Sequence, residues 1–278
     1  MPMSDNTEQE KLWNGSLGEG FIRVESYIDR IVEPISKAAV DTVRAQSEDR
    51  ILDVGCGCGS TSMTLAKTGA TVTGVDISEK MIAQAKAKSK AVTNLSFCTA
   101  DAAVENFERN YTHVFSRFGV MFFSDPTAAF SNMHSGLVSK GKLTFSCWQG
   151  LTENEWIGLS VEAIKPFQSE DAPPPDPRSP GGFAFADKEY VLEILQGAGF
   201  SNIEIKPLKA TLDMGQSMEE IMSFHCSVGP LAGLLETLDE DSGKEAVEAV
   251  KKSIEKRMGN RGLRLAAAAW LVTANAQV

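Results

Sequence analysis

The sequence has no apolar run long enough to cross a membrane. Its longest candidate, "LRLAAAAWLVTA", is shorter than the roughly 18 to 20 residues that a span requires, and we interpret it as a core strand. The amino-terminal "MPMSDNTEQE" lacks the basic start and apolar run of a secretion signal. These absences predict a cytoplasmic protein without a membrane partner.

Basic residues, histidines and cysteines are also few. The 278 residues include 27 Lys and Arg against 37 Asp and Glu, a net charge of -10, which disfavours a nucleic-acid partner. Cys56 and Cys58 have no second pair at the spacing of a zinc site. We therefore expect no metal and interpret these two cysteines as small residues that fill space beside a turn.

Short strand-like and helix-like segments alternate from about residue 50 to residue 148. Such alternation predicts right-handed crossovers and a parallel sheet with helices on both faces. The flanking segments are additions to one domain spanning 1–278: a helical cap at 8–46, and substrate-covering insertions at 150–186 and 215–262. The loop "EDAPPPDPRSPGG" is long and rich in proline, which is typical of a linker or a lid.

The stretch "ILDVGCGCGS", residues 51 to 60, joins a predicted strand to a predicted helix. No Gly-Lys-Ser/Thr follows it, which excludes a P-loop. Its glycines, Gly55, Gly57 and Gly59, do not have the G-x-G-x-x-G spacing of the dinucleotide fingerprint. Alternating glycines let the backbone approach a ligand closely, so a nucleotide loop is predicted. Asp53 could hold the loop amides or reach a ligand ammonium group through water.

Two further aspartates end predicted strands. Asp76 ends the second strand, where a carboxylate can accept both hydroxyl groups of a ribose. Ser78 is the expected cap of the helix that follows. Asp101 and Ala102 end the third strand, where a carboxylate and a backbone amide fit an adenine amino group and ring edge; a plain turn aspartate is the alternative.

Three motifs occur in order: D-x-G-x-G-x-G at the end of the first strand, V-D at the end of the second and A-D-A at the end of the third. Their combination resembles the class I S-adenosylmethionine-dependent methyltransferases. The whole chain looks most like the bacterial, small-molecule, ubiquinone/menaquinone-methyltransferase-like group of that family. The resemblance implies an α/β, Rossmann-like, seven-stranded sheet with helical cap insertions at both ends of the chain. Its sixth strand would lie at 201–214 and its antiparallel last strand at 263–275. It also implies S-adenosylmethionine as the cofactor. The implied cofactor-binding residues are Asp53, Gly55, Gly57, Asp76, Ile77, Met81, Asp101, Ala102 and Arg117.

The implied reaction transfers a methyl group to oxygen, nitrogen, sulfur or carbon of a small, partly apolar metabolite. A hydroxyl or carbon acceptor needs a base, most often histidine, and of the three histidines His225 is the candidate. His113 and His134 are expected to be structural. Aromatic residues of the additions would wall the acceptor pocket: Trp13, Tyr27, Trp148, Phe183, Phe185 and Phe224.

Three alternatives stay open. The first is a non-catalytic module that binds the cofactor, the second a nicotinamide-dependent oxidoreductase, and the third an RNA or DNA methyltransferase. Glycine spacing disfavours the second. The acidic charge, and the lack of an Asn-Pro-Pro-Tyr-like motif after strand four, disfavour the third. A homodimer is also left open.

Overall fold

The computed structural model describes residues 6–168 and 176–277. They contain a seven-stranded sheet. Its strands are β1 (Arg50–Val54), β2 (Thr71–Asp76), β3 (Leu95–Thr99), β4 (Tyr111–Arg117), β5 (Leu137–Trp148), β6 (Phe200–Gly215) and β7 (Leu263–Ala276). Their order is β3-β2-β1-β4-β5-β7-β6. β7 pairs antiparallel with β5 and with β6, whereas strands β1 to β5 pair in parallel. The predicted fold class, with an antiparallel last strand, is confirmed.

Twelve helices flank the sheet within the described residues. Four precede it: α1 (Thr7–Asn14), α2 (Ser16–Arg23), α3 (Glu25–Ile31) and α4 (Glu33–Val43). Five lie between β1 and β6: α5 (Ser60–Ala66), α6 (Glu79–Lys88), α7 (Pro126–Ser135), α8 (Glu155–Ile164) and α9 (Lys188–Gly197). The segment between β6 and β7 forms α10 (Met218–Ser227), α11 (Pro230–Leu235) and α12 (Glu240–Glu255).

The two neighbouring strands β1 and β4, in the middle of the sheet, are buried on both faces. Ile51, Leu52, Val114 and Phe115 in β1 and β4 are fully buried, which is the pattern of a parallel sheet covered by helices. β1 and β4 lie side by side, and the chain leaves them in opposite directions across the sheet. Ligands of open α/β sheets bind outside the carboxyl ends of strands at such a switch point.

The predicted helical cap at 8–46 forms four short helices, because Gly15 interrupts the first pair and each later helix ends in a non-helical residue. β5 begins at Leu137, soon after α7 ends at Ser135. Leu137 pairs with Tyr111, and the register then shifts before His113 pairs with Lys142, so an irregular extension precedes the regular strand.

Part of the proline-rich loop, predicted as a linker or a lid, falls outside the described residues, namely 170–175. Residues 176–187 form no helix or strand. Within them, the Gly181 amide donates to the Met121 carbonyl, 3.1 Å away. This contact holds the end of the loop beside the segment that follows β4.

Candidate functional site

A cavity of about 550 Å³ opens at the carboxyl edge of the parallel strands. It is bounded by the segments that follow β1, β2, β3 and β4, by the amino-terminal helices and by the turn between α10 and α11. Eight predicted cofactor-binding residues line it: Gly55, Gly57, Asp76, Ile77, Met81, Asp101, Ala102 and Arg117. The sheet edge therefore brings together residues that are far apart in the sequence.

The three glycines of the loop after β1 all have positive φ, at 64°, 54° and 86°. A Cβ atom at Gly55 would lie 2.7 Å from the Gly119 Cα, and one at Gly59 would lie 2.5 Å from the Phe97 ring. At Gly57 the nearest heavy atom would be the Met81 sulfur, 3.8 Å away. Gly55 and Gly59 are thus enclosed by protein, whereas Gly57 faces open space in the cavity.

Asp76 ties the glycine loop to the end of β2. Its Oδ2 accepts a hydrogen bond from the Gly57 amide at 2.8 Å, and its Oδ1 accepts one from the Ser78 amide at 2.9 Å. Burial raises the pKa of this carboxyl, and the backbone amides oppose that rise. Ser78 caps α6, as predicted, by accepting from the Met81 amide. The contact with Gly57 is a second role for Asp76 that its position in the sequence does not reveal.

Asp53 lies behind the loop and not in the cavity. Its side chain is fully buried, and Oδ2 accepts from the hydroxyls of Thr61 and Ser62 at 2.8 and 2.6 Å. Oδ1 has no hydrogen-bond partner among the described residues. Burial raises the pKa of Asp53 to about 6, despite the two hydroxyls. The predicted hydrogen bonds to loop amides are absent here, because the carboxylate instead anchors the first turn of α5.

Asp101 contacts the amino-terminal segment at the far end of the cavity. The Asn6 Nδ2 donates to both carboxylate oxygens, at 2.9 and 3.0 Å, and the Ala103 amide donates to Oδ1. Asn6 is buried, and its own Oδ1 accepts from the Ser124 amide. Sequence reasoning missed Asn6, since nothing near it in the chain signals a contact 95 residues away.

Arg117, at the end of β4, forms an ion pair with Asp29 of α3. Its Nη1 lies 2.8 Å from the Asp29 Oδ1 and also donates to the Ser36 hydroxyl. The Ser60 hydroxyl, at the start of α5, donates to the same Asp29 oxygen. Asp29 was not predicted, yet it lines the cavity and links the glycine loop, β4 and the amino-terminal helices.

The first two helices dock on the segment after β2. Asn14 donates to the Ile77 carbonyl and accepts from the Glu79 amide, and the Ser78 hydroxyl donates to the Trp13 carbonyl. We call α1 to α3, residues 7–31, the N-terminal strap. The strap covers the cavity from the side opposite the sheet edge, and ten of its residues line it: Gln9, Leu12, Trp13, Ser16, Leu17, Phe21, Glu25, Ile28, Asp29 and Ile31.

An aromatic wall closes the end of the cavity beyond β4 and β5. It consists of Phe118, Trp148, Trp156 and Phe224, which all line the cavity. Phe118 stacks on Trp148 with centroids 4.1 Å apart, and Trp156 lies 4.9 Å from Trp148 and 6.1 Å from Phe224. Phe118 has φ of 61°, a conformation that side chains rarely adopt and that occurs at functional sites.

Of the other four aromatic residues predicted to wall the acceptor pocket, two line the cavity and two do not. Trp13 and Phe183 line the cavity, as expected. Tyr27 and Phe185 do not: the Tyr27 hydroxyl donates to the Met214 carbonyl, and Phe185 packs in the core beside Phe130 and Phe145. A single aromatic residue in an added segment therefore did not indicate by itself whether it faces the cavity or the core.

His225 is not among the residues that line the cavity. It is buried in α10, its ring lies 5.1 Å from that of Phe224, and its Nε2 has no described partner. Burial lowers the pKa of His225 to about 4, so the ring is neutral at neutral pH. The structure thus does not support the prediction of a catalytic base there. His113 is buried against Asp49 and His134 packs on Phe200, in line with structural roles.

The described residues contain no group of three or more His, Cys, Asp or Glu that could hold a metal ion. No helix in the described part of the chain has the length and apolar character of a membrane span. Cys56 and Cys58 are buried at the loop, and burial raises the pKa of the Cys58 thiol to about 12. Both thiols are therefore protonated at neutral pH.

Residues 51–141 match the family model described as a methyltransferase domain. A methyltransferase-named protein of Geobacillus sp. (strain WCH70) is 47% identical over 85 residues, 29% of this chain and 30% of that protein. The aklanonic acid methyltransferase DauC of Streptomyces sp. (strain C5) is 28% identical over 148 residues, 50% of this chain and 67% of that protein. The chain spans 30% to 54% of the length of the first curated relatives that it matches.

Two solved structures share the fold. The YcgJ protein from Bacillus subtilis aligns with a TM-score of 0.58 at 14% identity, over 87% of this chain and 98% of that one. Phosphoethanolamine N-methyltransferase 2 of Haemonchus contortus, in complex with S-adenosyl-L-methionine, aligns with a TM-score of 0.50 at 18% identity, over 84% and 50%. At these identities the likeness is one of fold.

The groups at the cavity fit this cofactor. Two carboxylates, Asp76 at the end of β2 and Asp101 just after β3, line the cavity, and the paired charges of Arg117 and Asp29 lie near the glycine loop. The open space at Gly57 leaves room for the ligand. Residues 51–141 therefore match a methyltransferase domain, and the described residues share the fold of two solved structures, one of them a methyltransferase in complex with S-adenosyl-L-methionine.

Proposed function

We propose that the chain is an S-adenosylmethionine-dependent methyltransferase acting on a small, partly apolar metabolite. One observation carries the proposal: a single cavity is lined at one end by the glycine loop and strand-end carboxylates and at the other by the aromatic wall. Apolar pockets with a few polar groups suit small organic ligands. The acidic composition and the name of the Streptomyces relative support a small-molecule acceptor over nucleic acid.

Within the cavity we assign roles from geometry. Asp76 would accept the ribose hydroxyls, and Asp101 the adenine amino group, beside the Ala102 amide. Ile77 and Met81 would pack on the adenosine. Arg117 and Asp29 would hold the carboxylate and ammonium groups of the amino-acid end, since Asp53 is fully buried and does not line the cavity.

The cofactor supplies a methyl group on a positively charged sulfur, which makes the methyl carbon electrophilic. The protein's part is then chiefly positioning. The glycine loop and the two carboxylates fix the adenosine, and the strap excludes water from the cavity. The aromatic wall holds the acceptor against the far side. Holding two reactants in a productive geometry accounts for much of a rate enhancement.

The proposal also includes membership of the bacterial ubiquinone/menaquinone-methyltransferase-like group, a single domain over 1–278, and a cytoplasmic location. The loops at 150–186 and 215–262 would cover the acceptor. Phe183 and Trp156 of the first and Phe224 of the second line the cavity, which supports that role.

Calorimetric titration with S-adenosylmethionine, S-adenosylhomocysteine and NAD tests the proposal. We expect the first two to bind and NAD not to bind. Asp76→Ala should weaken binding at least about tenfold, because hydrogen bonds to charged groups contribute about 1.5–3 kcal/mol. Asp41→Ala, on the exposed face of α4, is the control. NAD binding without either methionine derivative would refute the proposal, and binding without methyl transfer in a labelled-methyl screen would favour the non-catalytic module.

A further inference from the structure

The aromatic wall places four rings along one end of the cavity. Phe118 and Trp148 are nearly parallel, with 10° between their planes, and Trp156 and Phe224 continue the wall. Trp148 and Phe224 are buried, and Trp156 is half-buried with its Nε1 donating to the Asn154 Oδ1. The ring faces of tryptophan and phenylalanine attract cations, most strongly where water is excluded.

The charges around the cavity favour the same kind of ligand. Among the described residues, five carboxylates line the cavity: Glu25, Asp29, Asp76, Asp101 and Glu236. The one described cationic side chain that lines it is Arg117, whose Nη1 is engaged by Asp29 and Ser36. A carboxylate or phosphate on the acceptor would therefore be buried with no free cationic partner among the described lining residues, which disfavours its binding.

The described residues that line the cavity include no histidine, the side chain that most often acts as the base toward a hydroxyl or carbon acceptor. His225 faces Phe224 inside α10. Cys56 and Cys58 line the cavity as neutral thiols. A neutral amine carries its own lone pair and needs no base in order to attack, whereas an alcohol or a carbon acid does.

We infer that the methyl acceptor is an amine attached to an apolar body, with its nitrogen against the aromatic wall; this rests on the proposed function. An acceptor that enters in its ammonium form first gives its proton to water; the freed amine lone pair then attacks the methyl carbon and forms the N–C bond as the C–S bond breaks, and the bonding pair remains on sulfur. Positive charge thereby passes from sulfur to nitrogen. A tertiary amine gives a quaternary ammonium product, and a secondary amine afterwards loses one proton to water.

Three ligands with one carbon skeleton test this inference on the full chain saturated with S-adenosylhomocysteine. They are N,N-dimethyl-4-phenylbutylamine, 4-phenylbutanol and 4-phenylbutyrate, titrated by calorimetry. We expect the amine to bind about tenfold more tightly than the alcohol, and the carboxylate to bind most weakly. An amine that binds no more tightly than the alcohol or the carboxylate, including one that does not bind, overturns the inference. Failure of S-adenosylhomocysteine itself to bind would instead refute the proposed function.

Two variants of one residue locate the effect. Trp156→Leu should remove most of the preference for the amine over the alcohol, and Trp156→Phe should retain most of it. Both variants lose the bond to Asn154, so a difference between them reports the ring face rather than that hydrogen bond. Trp270→Phe, whose indole donates to the Ala186 carbonyl away from the cavity, should leave the preference unchanged. Equal preference in Trp156→Leu and the unaltered protein would contradict the placement of the nitrogen.

Discussion

At the residue scale, the carboxylates at the sheet edge differ in what they can reach. Asp76 is the last residue of β2 and Asp101 lies two residues beyond β3, and position alone places such side chains at the carboxyl edge, as predicted. Asp53 lies inside β1, which is buried on both faces. A strand of that kind has no alternation from which to read the direction of a side chain, so the sequence could not show that Asp53 lies behind the loop.

Asp29 is the residue whose role can be tested most sharply. Asp29→Asn should weaken S-adenosylmethionine binding about tenfold or more, because it removes the charge that pairs with Arg117 and with a ligand ammonium group. Binding of 5′-methylthioadenosine, which lacks the amino-acid end, should be unchanged. Calorimetry with both ligands measures the difference, and Asp41→Asn is the matched surface control. Equal losses for the two ligands would show a general effect on the cavity.

The raised pKa of Asp53 predicts a dependence of stability on pH. Its pKa is about 6 in the folded protein and near 3.8 when unfolded. The folded state therefore binds the extra proton between these values, and this group's contribution to stability is lost as pH rises through 6. At 1.36 kcal/mol per pKa unit the loss is about 2–3 kcal/mol.

Asp53→Asn has no such titration. Its free energy of unfolding, relative to the unaltered protein, should rise by about 2–3 kcal/mol between pH 4 and pH 7. Urea unfolding at the two pH values measures this, and other titrating groups are common to both proteins. A relative stability that stays constant with pH would contradict the assignment.

At the element scale, the strands of the parallel core could be predicted from the sequence, whereas the docking of the N-terminal strap could not. Strand and helix signals placed β1 to β4 within one or two residues, because each is a short apolar run closed by a turn residue. The strap and the Asn6 that precedes it are held by pairs such as Asn6–Asp101 and Asp29–Arg117, which lie 95 and 88 residues apart in sequence. Local patterns carry no information about such pairs, so the docking of the strap could not be predicted.

Alanine substitutions at two glycines of the loop should have different effects on stability, because their surroundings differ. Gly57→Ala should lower the free energy of unfolding by about 1–2 kcal/mol from its positive φ alone, since no backbone atom would contact its Cβ. It should nevertheless lose S-adenosylmethionine binding, because the methyl group enters the cavity. Gly55→Ala should lose about 1–3 kcal/mol more, from overpacking against Gly119. Chemical denaturation and calorimetry on both variants separate stability from binding, and equal stabilities would contradict the steric distinction.

At the scale of the whole molecule, one sheet serves two functions at one edge. The sheet residues proposed to hold the cofactor lie at the ends of β1, β2, β3 and β4, and the aromatic wall begins where β4 and β5 end. The strap and the segment between β6 and β7 then close the cavity from outside. The resemblance implied a seven-stranded sheet with an antiparallel last strand, but the way in which the added helices enclose the cavity depends on side-chain contacts that only the folded chain displays.

The strap should respond to the ligand more than the rest of the molecule. It is held by polar side-chain contacts around the cavity, and a ligand that fills the cavity adds partners to those contacts. We expect amide hydrogen exchange over residues 7–31 to slow when S-adenosylhomocysteine binds. Amides of α12, which does not line the cavity, should be unchanged. Equal slowing in α12 would indicate global stabilisation rather than closure of the strap.

The contact between Gly55 and Gly119 has a consequence for how substrate choice could change. A Cβ at either glycine would lie 2.7 to 2.8 Å from the other's Cα, so the exits of β1 and β4 touch main chain to main chain. The aromatic wall begins at the neighbouring Phe118. In the proposed reaction, the span between methyl donor and acceptor would then be set by the backbone. Side chains at positions 148, 156 and 224 could be exchanged to suit another acceptor while the distance over which the methyl group travels stays the same.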